Sequence, residues 1–345
     1  MRAEGVPTNI STRSGLDLAM AGRAARAAPW LPVAAAMLYP WALRVFHGAA
    51  TKAGGLSLVA CVWLVVAFAL PLSCLALTWA DLAKVGVPAR RVALAGLAAP
   101  PLFVLIGVLA GLLHSPVKDV WIWSVLWIGL GVASSFSKPG QVEGGAGPPA
   151  GLRIAHGVAA ALILLFVTFH LFNHLTGLLG PEAHGRVMAV GRLVYRSRFV
   201  EPALVILLLF QVVGGVAMAW RWSARPADLA RTIQVGSGAY LAAFIVTHMN
   251  SAFVSARAVH KIQTNWAWAT GAPEGLLLDA WNIRLLPHYA LGVVFVVAHL
   301  VCGLRQVLIA HGMGKAVADR LWGASLAGAA TLSAAITAGL CGLRL

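Results

Sequence analysis

Charged side chains are scarce in this chain, and acidic ones are the scarcest. Asp, Glu, Lys and Arg make up 11% of the 345 residues, whereas about 25% is usual for a soluble domain. So few charges could not cover the surface of a protein of this size in water. The composition therefore excludes an ordinary soluble globular domain.

Cysteine and the short motifs of soluble enzymes are also poorly represented. The four cysteines lie inside apolar stretches without CxxC spacing, which argues against a disulfide framework or a cysteine metal site. The chain has no P-loop, no G-x-S-x-G, no H-E-x-x-H and no CxxCH motif. Covalent c-type haem is thus excluded on motif grounds, and any dehydrogenase chemistry would reside on another chain.

What the chain does contain is long apolar runs, since 60% of its residues are hydrophobic. Blocks of about 18 to 25 residues can cross a hydrocarbon core of about 30 Å as helices. We therefore predict an all-α integral membrane protein with about nine transmembrane helices. They lie near residues 29–46, 56–80, 91–114, 119–137, 153–179, 200–221, 232–256, 284–310 and 320–343.

The formal net charge of +15 comes from Lys and Arg that stand mainly between these blocks, as at Arg90, Arg91 and Arg221. Such positions indicate anchoring to anionic lipid headgroups and not nucleic-acid binding. The lipid bilayer is therefore the expected partner. The distribution of Lys and Arg favours a cytoplasmic N-terminus.

A Gly- and Pro-rich segment, 138–150, is the clearest linker in the chain. It separates a short tail (1–28) and a four-span region of unknown role (29–137) from a five-span domain (151–345).

Histidines enter the apolar spans only after the linker. An ionisable side chain within a bilayer is costly and often marks a functional site. For any single histidine, the alternative is a neutral ring that is hydrogen-bonded to a neighbouring helix. The candidates are His156, His170, His174, His248, His288 and His299.

Two of these histidines are predicted to lie at the same depth. His170 follows Arg153 by 17 residues, and His248 follows Arg231 by 17. If both arginines mark one interface, both imidazoles lie about 25 Å across the membrane on helices that run in the same direction. Imidazole is a good axial ligand of haem iron. By the same alignment His299 would face Gln211, which is a poor haem ligand.

Several short patterns follow one another in order across the five spans. They include a first His-Gly, a later His-Leu and Asn-His, a Glu-Pro, a Ser-Gly before a His, and a final His-x-x-x-Gly-Leu. In these patterns, residues 151–345 resemble the single-polypeptide, five-helix cytochrome b subunit of succinate dehydrogenases and fumarate reductases. The patterns lie at His156-Gly157, His170-Leu171, Asn173-His174, Glu201-Pro202, Ser237-Gly238 with His248, and His299 to Leu304.

The resemblance implies a C-terminal five-helix cytochrome b-like bundle with haem b held by His170 and His248. Dihaem members bind a second haem, but this chain has Gln211 where a partner of His299 is expected. That haem would be absent or five-coordinate through His299. His174 would be either an alternative ligand or a support for His170.

The resemblance also implies a function. The chain would transfer electrons between a quinone and a soluble flavoprotein or iron–sulfur subunit, in a bacterial inner membrane. His156, Ser237 and His288 are the predicted quinone contacts.

Two other functions stay open. A non-catalytic membrane protein that handles haem or lipid, or that scaffolds assembly, is favoured by the four N-terminal spans and by Gln211. A proton-coupled transporter has less support, because the spans carry no buried pair of Asp or Glu side chains.

Overall fold

The structure is a computed structural model and describes residues 26–79, 86–137 and 146–345. Residues 1–25 of the predicted tail and 138–145 of the predicted linker lie outside these ranges. The described residues form helices joined by turns and loops, with no strand among them.

The apolar runs form helices because a helix satisfies its backbone hydrogen bonds internally, as a bilayer requires. The N-terminal region contains α1 (Trp30–Ala53), α2 (Leu58–Trp79), α3 (Val87–Leu97), α4 (Ala99–Leu112) and α5 (Asp119–Phe136). The C-terminal domain contains α6 (Ala150–Leu175), α7 (Pro181–Tyr195), α8 (Val200–Trp222), α9 (Leu229–Met249), α10 (Trp266–Thr270), α11 (Gly275–Leu278), α12 (Leu285–Ala310) and α13 (Lys315–Leu340). A π-helical segment, Asn250–Val259, extends α9.

Seven helical segments of the described chain are long and apolar enough to cross a membrane, and α3 with α4 form an eighth as a bent pair. The protein is therefore an all-α integral membrane protein, as predicted. The remaining predicted span, 29–46, corresponds to α1, which is 24 residues long but is not among the seven. The mean hydropathy of α1 is lowered by its polar and amphipathic side chains, which are two tryptophans, Tyr39, Arg44 and His47.

The third predicted span, 91–114, is a broken helix and not one straight rod. Between α3 and α4 the axis bends by 65° at Ala98, just before Pro100 and Pro101. A proline lacks the amide hydrogen that would continue the helical hydrogen bonds, so the chain turns there.

The five predicted C-terminal spans form a ring. In this ring α6 packs on α8, α8 on α9, α9 on α12, α12 on α13, and α13 returns to α6. On the outer side of the ring, α2, α3 and α4 pack against α9, and α4 also contacts α12. The N-terminal region thus covers one flank of the C-terminal domain.

The helix α7 was not predicted. It begins after Gly180 with Pro181 at its first position, a common helix start, and contacts α6, α8 and α10. Together with α10 it covers one end of the ring.

Candidate functional site

The ring of helices surrounds a partly open cavity of about 1280 Å³. Its walls come mainly from α6, α8, α9 and α12, while α7 and residues 264–269 line one end. Pockets for one small ligand are typically about 300–1,000 Å³, so the cavity is large. Five of the histidines singled out above line it: His156, His170, His174, His248 and His299.

His170 of α6 and His248 of α9 lie close together in the wall of this cavity. Their ring centroids are 5.9 Å apart, with planes inclined at 71°. Phe166 stacks on His170 at 5.5 Å, and Phe244 stacks on His248 at 5.6 Å. These contacts, each made one helical turn away on the same helix, limit the rotation of both imidazoles.

The helix face that carries His248 is fixed from outside the ring. Thr247 donates a hydrogen bond of 3.0 Å to the carbonyl of Pro101, at the bend between α3 and α4. The π-helical segment begins at Asn250, two residues after His248. π-helical turns are rare and occur frequently at functional sites.

The structure pairs His299 of α12 with His156 of α6 and not with Gln211. The centroids of the two rings are 6.3 Å apart and the planes are inclined at 78°. Gln211 lies on α8, and its Nε2 donates a 2.8 Å hydrogen bond to the backbone carbonyl of His156. It therefore connects α8 to α6 and does not face His299.

One nitrogen of His299 is held by α9. His299 Nδ1 lies 3.1 Å from the carbonyl oxygen of Gln234 and 3.2 Å from Ser237 Oγ. A metal-bound histidine usually donates its second ring N–H to such an oxygen, which orients the ring. Ser237, predicted to contact a quinone, thus contacts His299, while His156 Nδ1 is buried without a hydrogen-bond partner.

The other two predicted site histidines have different surroundings. His174 packs against His170, with 4.7 Å between ring centroids, and its Nδ1 has no partner. His288 is buried, packs against Phe244 at 4.5 Å and does not line the cavity. A quinone in the cavity could therefore contact His288 only if the Phe244 ring moved aside.

A polar cluster at the α7 end of the cavity was missed from the sequence. Asn173 Nδ2 lies 3.1 Å from His184 Nε2, and His184 packs against Trp266 in a tilted arrangement, with 4.6 Å between ring centroids. Burial and the nearby positive charge of Arg192 lower the pKa of His184 to about 4, so its ring is neutral at physiological pH. The sequence pattern does not mark His184, because this residue lies between the predicted spans 153–179 and 200–221.

Both ends of the cavity are lined by arginines. Arg153 and Arg231 lie at the end near His156, and Arg192, Arg196 and Arg257 at the other. Burial and the neighbouring charges of Arg192 and Arg257 lower the pKa of Arg196. Glu201, paired with Arg257 at 2.6 Å, is the one acidic side chain of the described cavity wall.

Imidazole nitrogens are the kind of donor that a b-type haem takes from a protein. Bonds of about 2 Å from a metal to two opposing imidazoles, with the iron between them, separate the ring centroids by roughly 6 Å. The described residues contain no group of three or more His, Cys, Asp or Glu that could hold a metal ion alone. A haem iron needs only axial ligands from the protein, because the porphyrin supplies the other four.

Comparison with known proteins gave no relative: no family model, no curated protein and no solved structure matches the chain.

Proposed function

We propose that this protein is a membrane-anchored b-type cytochrome that transfers electrons to or from a membrane quinone. The observation that carries the proposal is the proximity of His170 and His248, whose ring centroids lie 5.9 Å apart in a largely apolar cavity. The cytochrome b family that the sequence resembles uses histidines in this way.

Each group around this pair has a role in the proposal. His170 and His248 would hold the iron, and Phe166 and Phe244 would keep the two rings in place. A bound b-type haem would supply reversible one-electron chemistry. The arginines at the cavity ends would neutralise the carboxylates of the macrocycle, and the apolar walls would exclude water from the rings.

The α7 end of the cavity offers a place for the quinone headgroup. His174 Nδ1 and Asn173 Oδ1 are buried without partners, and an unpaired buried polar atom is costly unless a ligand satisfies it. A quinone oxygen would accept a hydrogen bond from His174, next to His170.

By analogy with the family, a soluble flavoprotein or iron–sulfur subunit would be the redox partner. The location would be a bacterial inner membrane, with the N-terminus in the cytoplasm.

A second candidate is a non-catalytic membrane protein that handles haem or lipid, or scaffolds assembly. The observation that favours it is the four-span N-terminal region, which covers the flank of α9 and α12 and lies outside the cytochrome-like domain. Such a protein would keep the fold without redox activity.

The decisive test is a dithionite-reduced minus oxidised spectrum of the purified, detergent-solubilised protein, with haem quantified as the pyridine haemochrome. A sharp b-type α-band is expected. His248→Ala should remove the low-spin signal of the haem between His170 and His248, whereas His260→Ala, which alters an exposed histidine outside the cavity, should not. A folded, monodisperse protein without haem would refute the proposal and favour the scaffold.

A further inference from the structure

We propose that His156 and His299 are the axial ligands of a second b-type haem, so that α6 carries one ligand of each of two haems. This inference rests on the proposed function and adds a site to it. The ligand set differs from the one the sequence resemblance implies, in which the residue at position 211 would be the partner of His299.

The ring geometry of this pair matches that of the first. The centroid separation is 6.3 Å for His156 and His299 and 5.9 Å for His170 and His248. Nδ1 of His299 is engaged by the carbonyl of Gln234, so Nε2 is the nitrogen left to bind a metal. That carbonyl would fix the tautomer that a ligand requires.

Small residues line the cavity around the second pair. A Cβ built on Gly215 of α8 would lie 3.5 Å from the His156 ring, and one on Gly238 of α9 would lie 3.0 Å from the His299 ring. Gly157 and Gly303 also line the cavity, and a Cβ at either would meet nothing within 4 Å. Gly215 and Gly238 therefore leave room for the two imidazoles, and Gly157 and Gly303 leave open space in the cavity beside them.

The charges at this end of the cavity call for an anionic ligand. Arg153 and Arg231 line it, and the cavity wall of the described residues has no carboxylate there, since Glu201 lies at the opposite end. The Arg231 guanidinium is held over the Trp222 ring at 4.3 Å. Two cations beside an apolar region of the cavity suit the two carboxylates of a haem.

The two sites lie at different depths in the membrane. His156 and His170 are 14 residues apart on one helix, which is nearly four turns and about 21 Å along its axis. Both side chains therefore point to the same side of α6. Two haems at these depths would give a path for electrons across the bilayer, which a single haem would not.

Haem stoichiometry distinguishes this inference from the proposed function. We expect two haems per chain in the wild-type protein and in the control His260→Ala, and one haem in either His299→Ala or His248→Ala. One wild-type haem that is lost in His248→Ala and kept in His299→Ala would overturn the second site and leave the proposed function intact. A folded protein without haem would overturn both.

Two further variants address the case in which His299→Ala fails to fold. Methionine in place of an axial histidine raises the haem potential, so His299→Met should shift one of two midpoints upward in a redox titration and leave the other unchanged. Gly303→Leu should reduce the haem content from two per chain to one, because the leucine side chain would fill the space proposed for the second haem. Its control is Gly328→Leu, at an exposed helix position with nothing within 4 Å. Unchanged midpoints in His299→Met, or two haems in Gly303→Leu, would contradict the assignment.

Discussion

Among single residues, Gln211 is held by one hydrogen bond in a position where it cannot act as the partner of His299. Its amide is engaged with the carbonyl of His156, one helix away from His299. We therefore predict that Gln211→His adds no haem to the wild-type stoichiometry. The loss of the hydrogen bond between helices should lower stability by about 1 kcal/mol, which thermal unfolding in detergent would measure.

The matched control is Gln211→Leu, which keeps the approximate shape of the side chain and removes its donor. It should lower the unfolding temperature by a similar amount. A rise in haem content in Gln211→His, with no rise in Gln211→Leu, would show that position 211 can reach the iron after all.

The pairing of histidines was only partly predictable from the sequence. Equal offsets from Arg153 and Arg231 indicated that His170 and His248 lie at one depth, and the structure brings their ring centroids to within 5.9 Å of each other; their role as ligands stays a prediction. The proximity of His156 to His299 depends on the order of helices around the ring, which sequence spacing does not specify. The available signal was the 14-residue interval between His156 and His170, which puts both on one side of α6.

Among the helices, α7 depends on a close approach to α6 at one glycine. A Cβ at Gly191 would overlap the ring of Phe169, so α7 can lie over the cavity end only without a side chain there. We predict that Gly191→Ala destabilises the protein by about 1–3 kcal/mol through overpacking. Thermal unfolding would report the displacement of α7, and so would the spectrum of the haem that we propose between His170 and His248.

The same helix provides the control at Gly185, where a Cβ would meet nothing within 4 Å. Gly185→Ala should stabilise the helix by about 0.5–1 kcal/mol because alanine has the higher helix propensity. Equal effects of the two substitutions would mean that helix propensity, and not the contact with Phe169, governs position 191.

The helices themselves were largely predictable, because an apolar run of sufficient length has few alternatives to a membrane helix. All five C-terminal spans appear with boundaries a few residues from those expected. The helix α7 was missed because its sequence is not a continuous apolar run: it is interrupted by Arg186, Arg192 and three glycines in residues 180–195. The bend before Pro100 was missed because apolar length alone does not reveal a broken helix.

For the whole molecule, the N-terminal region acts as a support for the cavity wall. The contact of Thr247 with Pro101 lies next to His248, and a second link joins the two regions near α12. There Arg284, which is buried, is 2.6 Å from Asp119 of α5 and its guanidinium lies over the Phe103 ring at 4.5 Å. The two regions therefore share one packed interface, which the sequence linker did not suggest.

We predict that Asp119→Ala destabilises the whole protein, because it leaves the buried guanidinium of Arg284 without its carboxylate. Removal of one partner of a buried ion pair costs about 3–5 kcal/mol, whereas Glu182→Ala, which breaks an exposed pair with Arg186 at 3.9 Å, should cost less than about 1 kcal/mol. Unfolding temperatures in detergent would measure both.

The double variant Asp119→Ala/Arg284→Met should be more stable than Asp119→Ala alone, since it removes the unpaired charge. If the double variant is the less stable of the two, packing of Arg284 on Phe103 joins the regions and the ion pair does not.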